Sequence, residues 1–276
     1  MAVDIRKLPH LSASRIQTLG RCGEQYRRRY ECGDIARPGL ALVRGRSVHK
    51  GRATHMRHKL VSDELMAPEA VCQAVTDDLD VVLADGMEGL LLTSEQKAMG
   101  MDRIRGDLHD GSRRLALLDY HTFGLHTTPA EVEVELAVQP KGFPVPLIGY
   151  VDLIDSDGWI DDLKTTSKSP PKGEADSSSQ LTMYSLLRRA NRPGIEAGLR
   201  LQYLVDLKKT PKVVVQETTR DRDDYEAWVN RVGTALEVIE AGIFIPANRN
   251  AWWCDPRYCG YWSTCPYVNG KRRPTS

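Results

Sequence analysis

Residues Gly149–Thr166 read GYVDLIDSDGWIDDLKTT, two runs of β-favouring residues parted by Ser156-Asp157-Gly158. A three-residue loop closing on glycine suits a hairpin whose last loop residue is left-handed, so the spacing predicts that Leu147–Ile154 pairs with Trp159–Thr166. Setting Asp155 against Trp159 fixes a register in which Asp152 lies opposite Asp162. Side chains alternate along a strand, so Asp162 and Lys164 share one side and Leu163 takes the other. Asp152, Asp162 and Lys164 therefore form one cluster. Carboxylates that close repel each other, and one ammonium compensates only part of the charge. A hard divalent cation is the natural complement. The competing reading is a hairpin face whose acids simply meet water.

A chain of 276 residues with 41% hydrophobic content has room for one large or two small domains. It has no apolar run long enough to cross a bilayer, and its start, MAVDIRKLPH, lacks the apolar core of a signal peptide. A cytoplasmic protein with no membrane partner is expected. The net charge of +1 is unevenly spread. Ala36–Leu60 holds no acidic residue but carries Arg37, Arg44, Arg46, Lys50, Arg52, Arg57 and Lys59 with His49, His55 and His58. Arg27-Arg28-Arg29 lies upstream and Lys271-Arg272-Arg273 near the end. Such runs are more often solvated helix faces, and a phosphate backbone is the sharper reading.

Helices are expected over Leu11–Tyr30, with Ser12 or Ser14 as cap, and over Leu40–Val61, with Leu42, Val43 and Val48 inward and the basic set outward. Another runs from Pro68 to Leu83, and a long one opens at the capping pair Thr93/Gln96 and continues toward Tyr120. Glu131–Val138 alternates as a half-buried strand does, and the hairpin follows. Ser177-x-x-Gln180 resembles a capping box for a helix that Pro193-Gly194 would end and that sets Gln180 and Tyr184 on one face. Strands at Arg200–Leu207 and Pro211–Thr219, joined through Lys208-Lys209, precede a helix at Asp221–Ala241. The order predicts an α/β or α+β core with a central mixed sheet flanked by helices, an N-terminal helical insertion and a C-terminal cysteine loop. We take residues 1–276 as one domain, with a mainly helical part (1–125), a core (126–245) and a cysteine-bearing segment (246–276).

Six cysteines occur, and without an export signal their clustering points to metal rather than disulfides. Cys254, Cys259 and Cys265 fall in WWCDPRYCGYWSTCPY. Zinc usually takes a tight pair matched by a second pair, which this stretch lacks. Three clustered thiols plus a remote one fit a [4Fe–4S] cluster better, with Cys22 as the fourth ligand and Cys32 as the alternative. Zinc stays open. Cys72 reads as a small buried hydrophobe. A cluster so ligated would clamp the first helix to the C-terminal loop.

Taken together, Cys22, the GRSVH of Gly45–His49, the GYVD of Gly149–Asp152, the DLKT of Asp162–Thr165, the QLTMY of Gln180–Tyr184 and the terminal cysteines resemble the PD-(D/E)XK nuclease superfamily. The resemblance is to its RecB-like iron–sulfur branch, which includes the CRISPR-associated adaptation nuclease, the AddB nuclease domain and phage exonucleases. Asp162 stands where many relatives have Glu, and the Cys254-x4-Cys259 gap is wider than the more frequent one. The resemblance implies a restriction-endonuclease-like core and a metal-dependent DNA exonuclease of recombination, repair or replication, acting on single strands or duplex ends. His49, Asp152, Asp162 and the Leu163 carbonyl would bind Mg²⁺ or Mn²⁺, Lys164 would position or activate water, and Gln180 and Tyr184 would orient the DNA or the lysine. One of Glu131, Glu133 and Glu135 is a further candidate acid. A helicase, recombinase or CRISPR integrase is an implied partner, and a phage-encoded protein acting in the host cytoplasm fits. The rival functions are a non-catalytic DNA-binding or assembly subunit and a CRISPR nuclease trimming DNA before integration.

Overall fold

In a computed structural model, which describes residues 4–5, 8–192, 196–207 and 209–268, the predicted hairpin becomes the middle of a five-stranded sheet. Strands β1 (Pro129–Val138), β2 (Leu147–Asp155), β3 (Trp159–Thr166), β4 (Gly198–Val205) and β5 (Lys212–Thr218) lie in chain order. Every neighbouring pair is antiparallel except β3 and β4, which run parallel. A parallel pair needs a crossover, and α7 (Ser179–Asn191) supplies it.

The remaining helices are α1 (Ala13–Arg21), α2 (Gly23–Tyr26), α3 (Leu40–Ser62), α4 (Pro68–Val82), α5 (Ser94–Met99), α6 (Met101–Asp119) and α8 (Arg222–Glu240). Strand alternation divides the apolar residues between two layers. On one face Ile160, Leu199 and Leu201 join Ile16 of α1, Leu181 of α7 and Trp228 of α8. On the other, Leu163 and Leu204 meet Val48 of α3 and Leu115 of α6. Helix α4 packs on α3 and α6 around Val75, Leu79 and Ile104. The result is the expected mixed sheet flanked by helices. No helix among the described residues is long and apolar enough to cross a membrane.

Several expectations need correction. The helix expected over Leu11–Tyr30 breaks at Cys22, whose backbone is extended (φ −163°, ψ 106°). There the Gly23 N–H donates to the Ile245 carbonyl at 2.7 Å, so a tertiary partner displaces the next helical bond. Ser12, not Ser14, caps α1 by accepting from the Arg15 N–H. The helix opening at the Thr93/Gln96 capping box stops at Gly100 (φ 82°) and restarts as α6. Ser178 rather than Ser177 caps α7.

On α3, Leu42 is exposed while Arg52 and His55 are buried, reversing the expected sides at three positions. This helix packs against the sheet on one side and α4 and α6 on another, so little of its circumference is left for solvent. Pro193-Gly194, Lys208 and Lys271-Arg272-Arg273 lie outside the described residues.

Two glycines set how closely helices approach the hairpin. A Cβ on Gly149 would lie 2.9 Å from Leu187 Cδ1 and 3.2 Å from the Tyr184 ring, so β2 rests directly on α7. A Cβ on Gly45 would lie 2.8 Å from Thr165 Oγ1, so α3 rests on β3 one turn before His49. Gly45→Ala should therefore destabilise by about 1–3 kcal/mol, the usual cost of overpacking. In a Thr165→Ala background the clash is gone and alanine's helix propensity should make the same change neutral or stabilising by about 1 kcal/mol. Urea unfolding of the four proteins as a double-mutant cycle measures the coupling.

Candidate active site

The hairpin loop closes as its glycine suggests: Gly158 has φ 91°, and its N–H donates to the Asp155 carbonyl at 3.0 Å. Asp155 Oδ1 also accepts from the Asp157 and Trp159 amides at 3.0 and 2.9 Å. The β2–β3 ladder has the expected register, with Leu153 facing Asp161 and Ile154 facing Ile160, but it stops there. Asp152 and Asp162 lie one step beyond its end. The Leu163 N–H donates to Asp152 Oδ2 at 2.9 Å, and His49 Nδ1 from α3 sits 3.3 Å from the same oxygen.

Lys164 Nζ is 2.5 Å from Asp162 Oδ2 and donates to Gln180 Oε1 at 2.9 Å. Gln180 Nε2 donates to the Tyr184 hydroxyl at 2.7 Å, and that hydroxyl donates to the Tyr150 carbonyl. Four elements thus bring His49, Asp152, Asp162, Lys164, Gln180 and Tyr184 together, with Leu163 next to Asp162 on β3 and its own side chain buried on the opposite face.

Burial and charge separate the two aspartates. Burial raises the Asp162 carboxyl to about 6, Asp152 adding to the rise and Lys164 opposing it. Burial also pushes Asp152 up, but the hydrogen bond and charge of His49 outweigh it and leave Asp152 below the usual range. Burial works to lower His49, and Asp152 and Asp162 overcome it to raise the imidazole. Tyr184 is pushed far above its ordinary value by burial and by both aspartates, so it stays a protonated donor.

These shifts have opposite linkage signs. Asp162 binds its proton more tightly folded than unfolded (roughly 3.9), so its stabilising contribution is complete below about 4 and lost as pH rises through about 6. Raised His49 acts in the same sense at higher pH, whereas depressed Asp152 loses its contribution as pH falls. Urea melts in EDTA should show stability declining between about pH 4 and 6 relative to Asp162→Asn, in which that slope is missing.

The neighbouring acids resolve differently. Asp161 turns to the other face, where Arg200 Nε is 2.5 Å from it and Arg52 Nη2 4.0 Å. Glu131 accepts from Arg188 and Arg192 at 2.6 and 2.8 Å, and Glu135 stands opposite Tyr150 across the strand pair, where it raises the phenol. Glu133 lies between the pairs Val132/Leu153 and Val134/Val151, in the step facing Asp152. Its φ of 47° is unusual for a non-glycine residue, and it pairs with Arg57 and lines a small cavity with His49 and Asp152. Alternation alone could not select it, because its positive φ turns it toward Arg57 of α3 while Glu131 pairs with arginines of and just after α7. Arg52, expected outside, hydrogen-bonds Gln202 and lies 3.5 Å from Asp119 Oδ1.

Among the described residues no group of three or more His, Cys, Asp and Glu is drawn together closely enough to hold a metal ion. His49 and Lys164 stand against the two carboxylates instead. The set nevertheless suits a hard cation in its chemistry: imidazole nitrogen, two carboxylates and a peptide carbonyl. Asp162 Oδ2 is buried and, although Lys164 is close, receives no hydrogen bond of acceptable geometry.

Cys22, Cys254, Cys259 and Cys265 line one cavity with Pro246, Trp253 and Trp262. The Ala247 N–H donates to Cys22 Sγ at 3.3 Å. Burial raises the Cys259 thiol, the Tyr261 amide lowers it, and the three other cysteines raise it further. Cys32 is exposed, accepts from Arg27 and does not line the cavity. Cys72 is buried on α4. The four thiols share a cavity without closing to ligand spacing.

The sequence profile of the PD-(D/E)XK nuclease superfamily matches residues 10–266. Among solved structures, the chain is similar to a protein from Eubacterium rectale called "Putative exonuclease", with a TM-score of 0.58 and 11% identity, over 98% of this chain and 90% of that one. It also matches a structure called SSO0001, with a TM-score of 0.35 and 18% identity, over 80% of this chain and 83% of that one. No match is found among the curated proteins.

Proposed function

The chain belongs to the PD-(D/E)XK nuclease superfamily, and from that premise we propose that it is a metal-dependent exonuclease hydrolysing DNA from single strands or duplex ends. The observation that carries the reading is the meeting of Asp152, Asp162, Lys164 and His49 beside Gln180. His49, Asp152, Asp162 and the Leu163 carbonyl would hold Mg²⁺ or Mn²⁺. The bound ion would polarise the scissile phosphate and lower the pKa of water.

The chain's own residues supply the rest. Gln180, fixed by Tyr184, holds Lys164 by its Nζ. From there the ammonium positions the attacking water and offsets charge growing on the phosphate oxygens. The Leu163 amide and His49 aim Asp152. The cysteine cavity supports placing the chain in the RecB-like iron–sulfur branch, with the cluster tying the first helix to the C-terminal segment and the whole chain acting as one nuclease domain. DNA recombination or repair, with a helicase or recombinase as partner, is the matching context.

The test is digestion of end-labelled and uniformly labelled linear DNA, beside circular DNA, with Mg²⁺, Mn²⁺ or EDTA. Short products from linear DNA that require the divalent ion are expected. Equal degradation in EDTA, or none under any condition, overturns the reading.

A further inference from the structure

A cavity of about 260 Å³ lies beside Gln180 and Tyr184, bounded by α1, α7 and residues 148–150 of β2. Its polar groups are His10, Ser12, Ser14 and Arg15, and Tyr30 and Tyr150 supply aromatic walls. The Arg15 guanidinium carbon lies over the Tyr30 ring, 4.4 Å from its centroid, and forms no ion pair within 4 Å among the described residues. The aromatic contact therefore holds the guanidinium at the wall with Nη1 buried beside Tyr26, and no ion pair to a carboxylate consumes its charge. Glu31 and Glu135 are the acids whose charge reaches Arg15 and His10. Tyr150, opposite Glu135 on the strand pair, is 57% exposed and lines the same cavity as Arg15.

The cavity and the cluster share Gln180, which lines the first and bonds the lysine of the second. A ligand here is thus adjacent to the reacting phosphodiester. Just below the range of small-ligand sites, which starts at about 300 Å³, the space suits at most one nucleotide unit rather than a folded partner. A planar guanidinium matches phosphate oxygens in two-pronged fashion, and a tyrosine face accepts any base.

The geometry points to this cavity as the subsite for the terminal, phosphate-bearing nucleotide of a DNA strand, with Arg15 as its phosphate anchor. The assignment rests on the nuclease reading above and deepens it. It makes the free strand end, rather than internal sequence, the feature that is selected.

The test separates end binding from cleavage. Single-stranded oligonucleotides of one sequence, carrying a 5′-phosphate, a 3′-phosphate or only hydroxyl ends, are titrated by fluorescence anisotropy into Lys164→Ala and into Lys164→Ala/Arg15→Gln protein. One phosphorylated end should bind at least about tenfold tighter than the hydroxyl-ended strand, and the advantage should vanish with Arg15→Gln. Inorganic phosphate at matched ionic strength should compete far less well than a mononucleotide. Ser14→Glu places an anion at the exposed rim, at a helix start where acids are tolerated, and should remove the same preference without unfolding the protein. Equal affinity for all three ends, or a preference that survives both Arg15→Gln and Ser14→Glu, overturns the subsite. Because these titrations need no turnover, they stay decisive even if the wild-type protein cuts nothing, the result that defeats the nuclease reading itself.

Discussion

Lys164→Ala is expected to lower single-turnover DNA cleavage by about 10²–10⁴-fold, the range for losing a positioned proton-transfer or charge-stabilising group. The protein should remain folded, since Lys164 is partly exposed and, among the described residues, its head group pairs only with Asp162 and Gln180. Two effects combine. The attacking water loses its partner, and Asp162, already raised to about 6 by burial, loses the neighbour that holds its pKa down and shifts further toward the neutral acid. Lys164→Arg separates them. It restores a positive charge beside Asp162 but not a compact ammonium able to share a proton with water, so cleavage should stay at least about 10²-fold down. Gln180→Ala leaves the lysine present but unheld, and a smaller loss of about tenfold is expected. Lys164→Ala protein that cuts as fast as wild type would remove lysine from the mechanism.

The hairpin was legible in the sequence because three local rules agreed. Alternation separated Asp161 from Asp162, Gly158 fixed the loop, and loop length fixed the register. Helix α7 was legible for a similar reason, since four residues return Tyr184 to the face of Gln180. What escaped was set by partners distant in the chain. The break at Cys22 depends on the Ile245 carbonyl, and no periodicity within Leu11–Tyr30 carries that information. Arg52 and His55 are inside because α3 is enclosed by other elements, while a single amphipathic stripe assumes one wet side. Glu133 escaped because a positive φ interrupts the alternation that would have assigned it a face.

Replacing Cys259 with serine should have its largest effect on the joint between the chain's two ends. Cys22 closes α1, while Cys254, Cys259 and Cys265 sit in the C-terminal segment around the same cavity. Arg28 donates to Thr264 Oγ1 at 2.8 Å and the Tyr261 hydroxyl donates to the Asp34 carbonyl at 2.6 Å, so the segment already lies against the N-terminal part. Tyr261 and Val268 are buried there, and Arg21 of α1 lies over Trp252 and Trp253. A ligated iron–sulfur cluster would add binding free energy directly to folding, on the order of several kcal/mol. Wild-type protein purified without oxygen should be brown, with broad absorbance near ~400 nm. Cys259→Ser should bleach it, lower the melting temperature by several degrees, and open the segment after Trp253 to limited proteolysis. Cys32→Ser serves as the contrast, since that exposed thiol lies off the cavity and its loss should change neither colour nor melting. Helix α1 also packs on α7, so loosening at Cys22 should weaken the support of Gln180 and carry a fall in cleavage with it. A colourless zinc-loaded wild type would replace iron with a purely structural ion, and a Cys259→Ser protein as stable as wild type would leave the four thiols without a shared ligand.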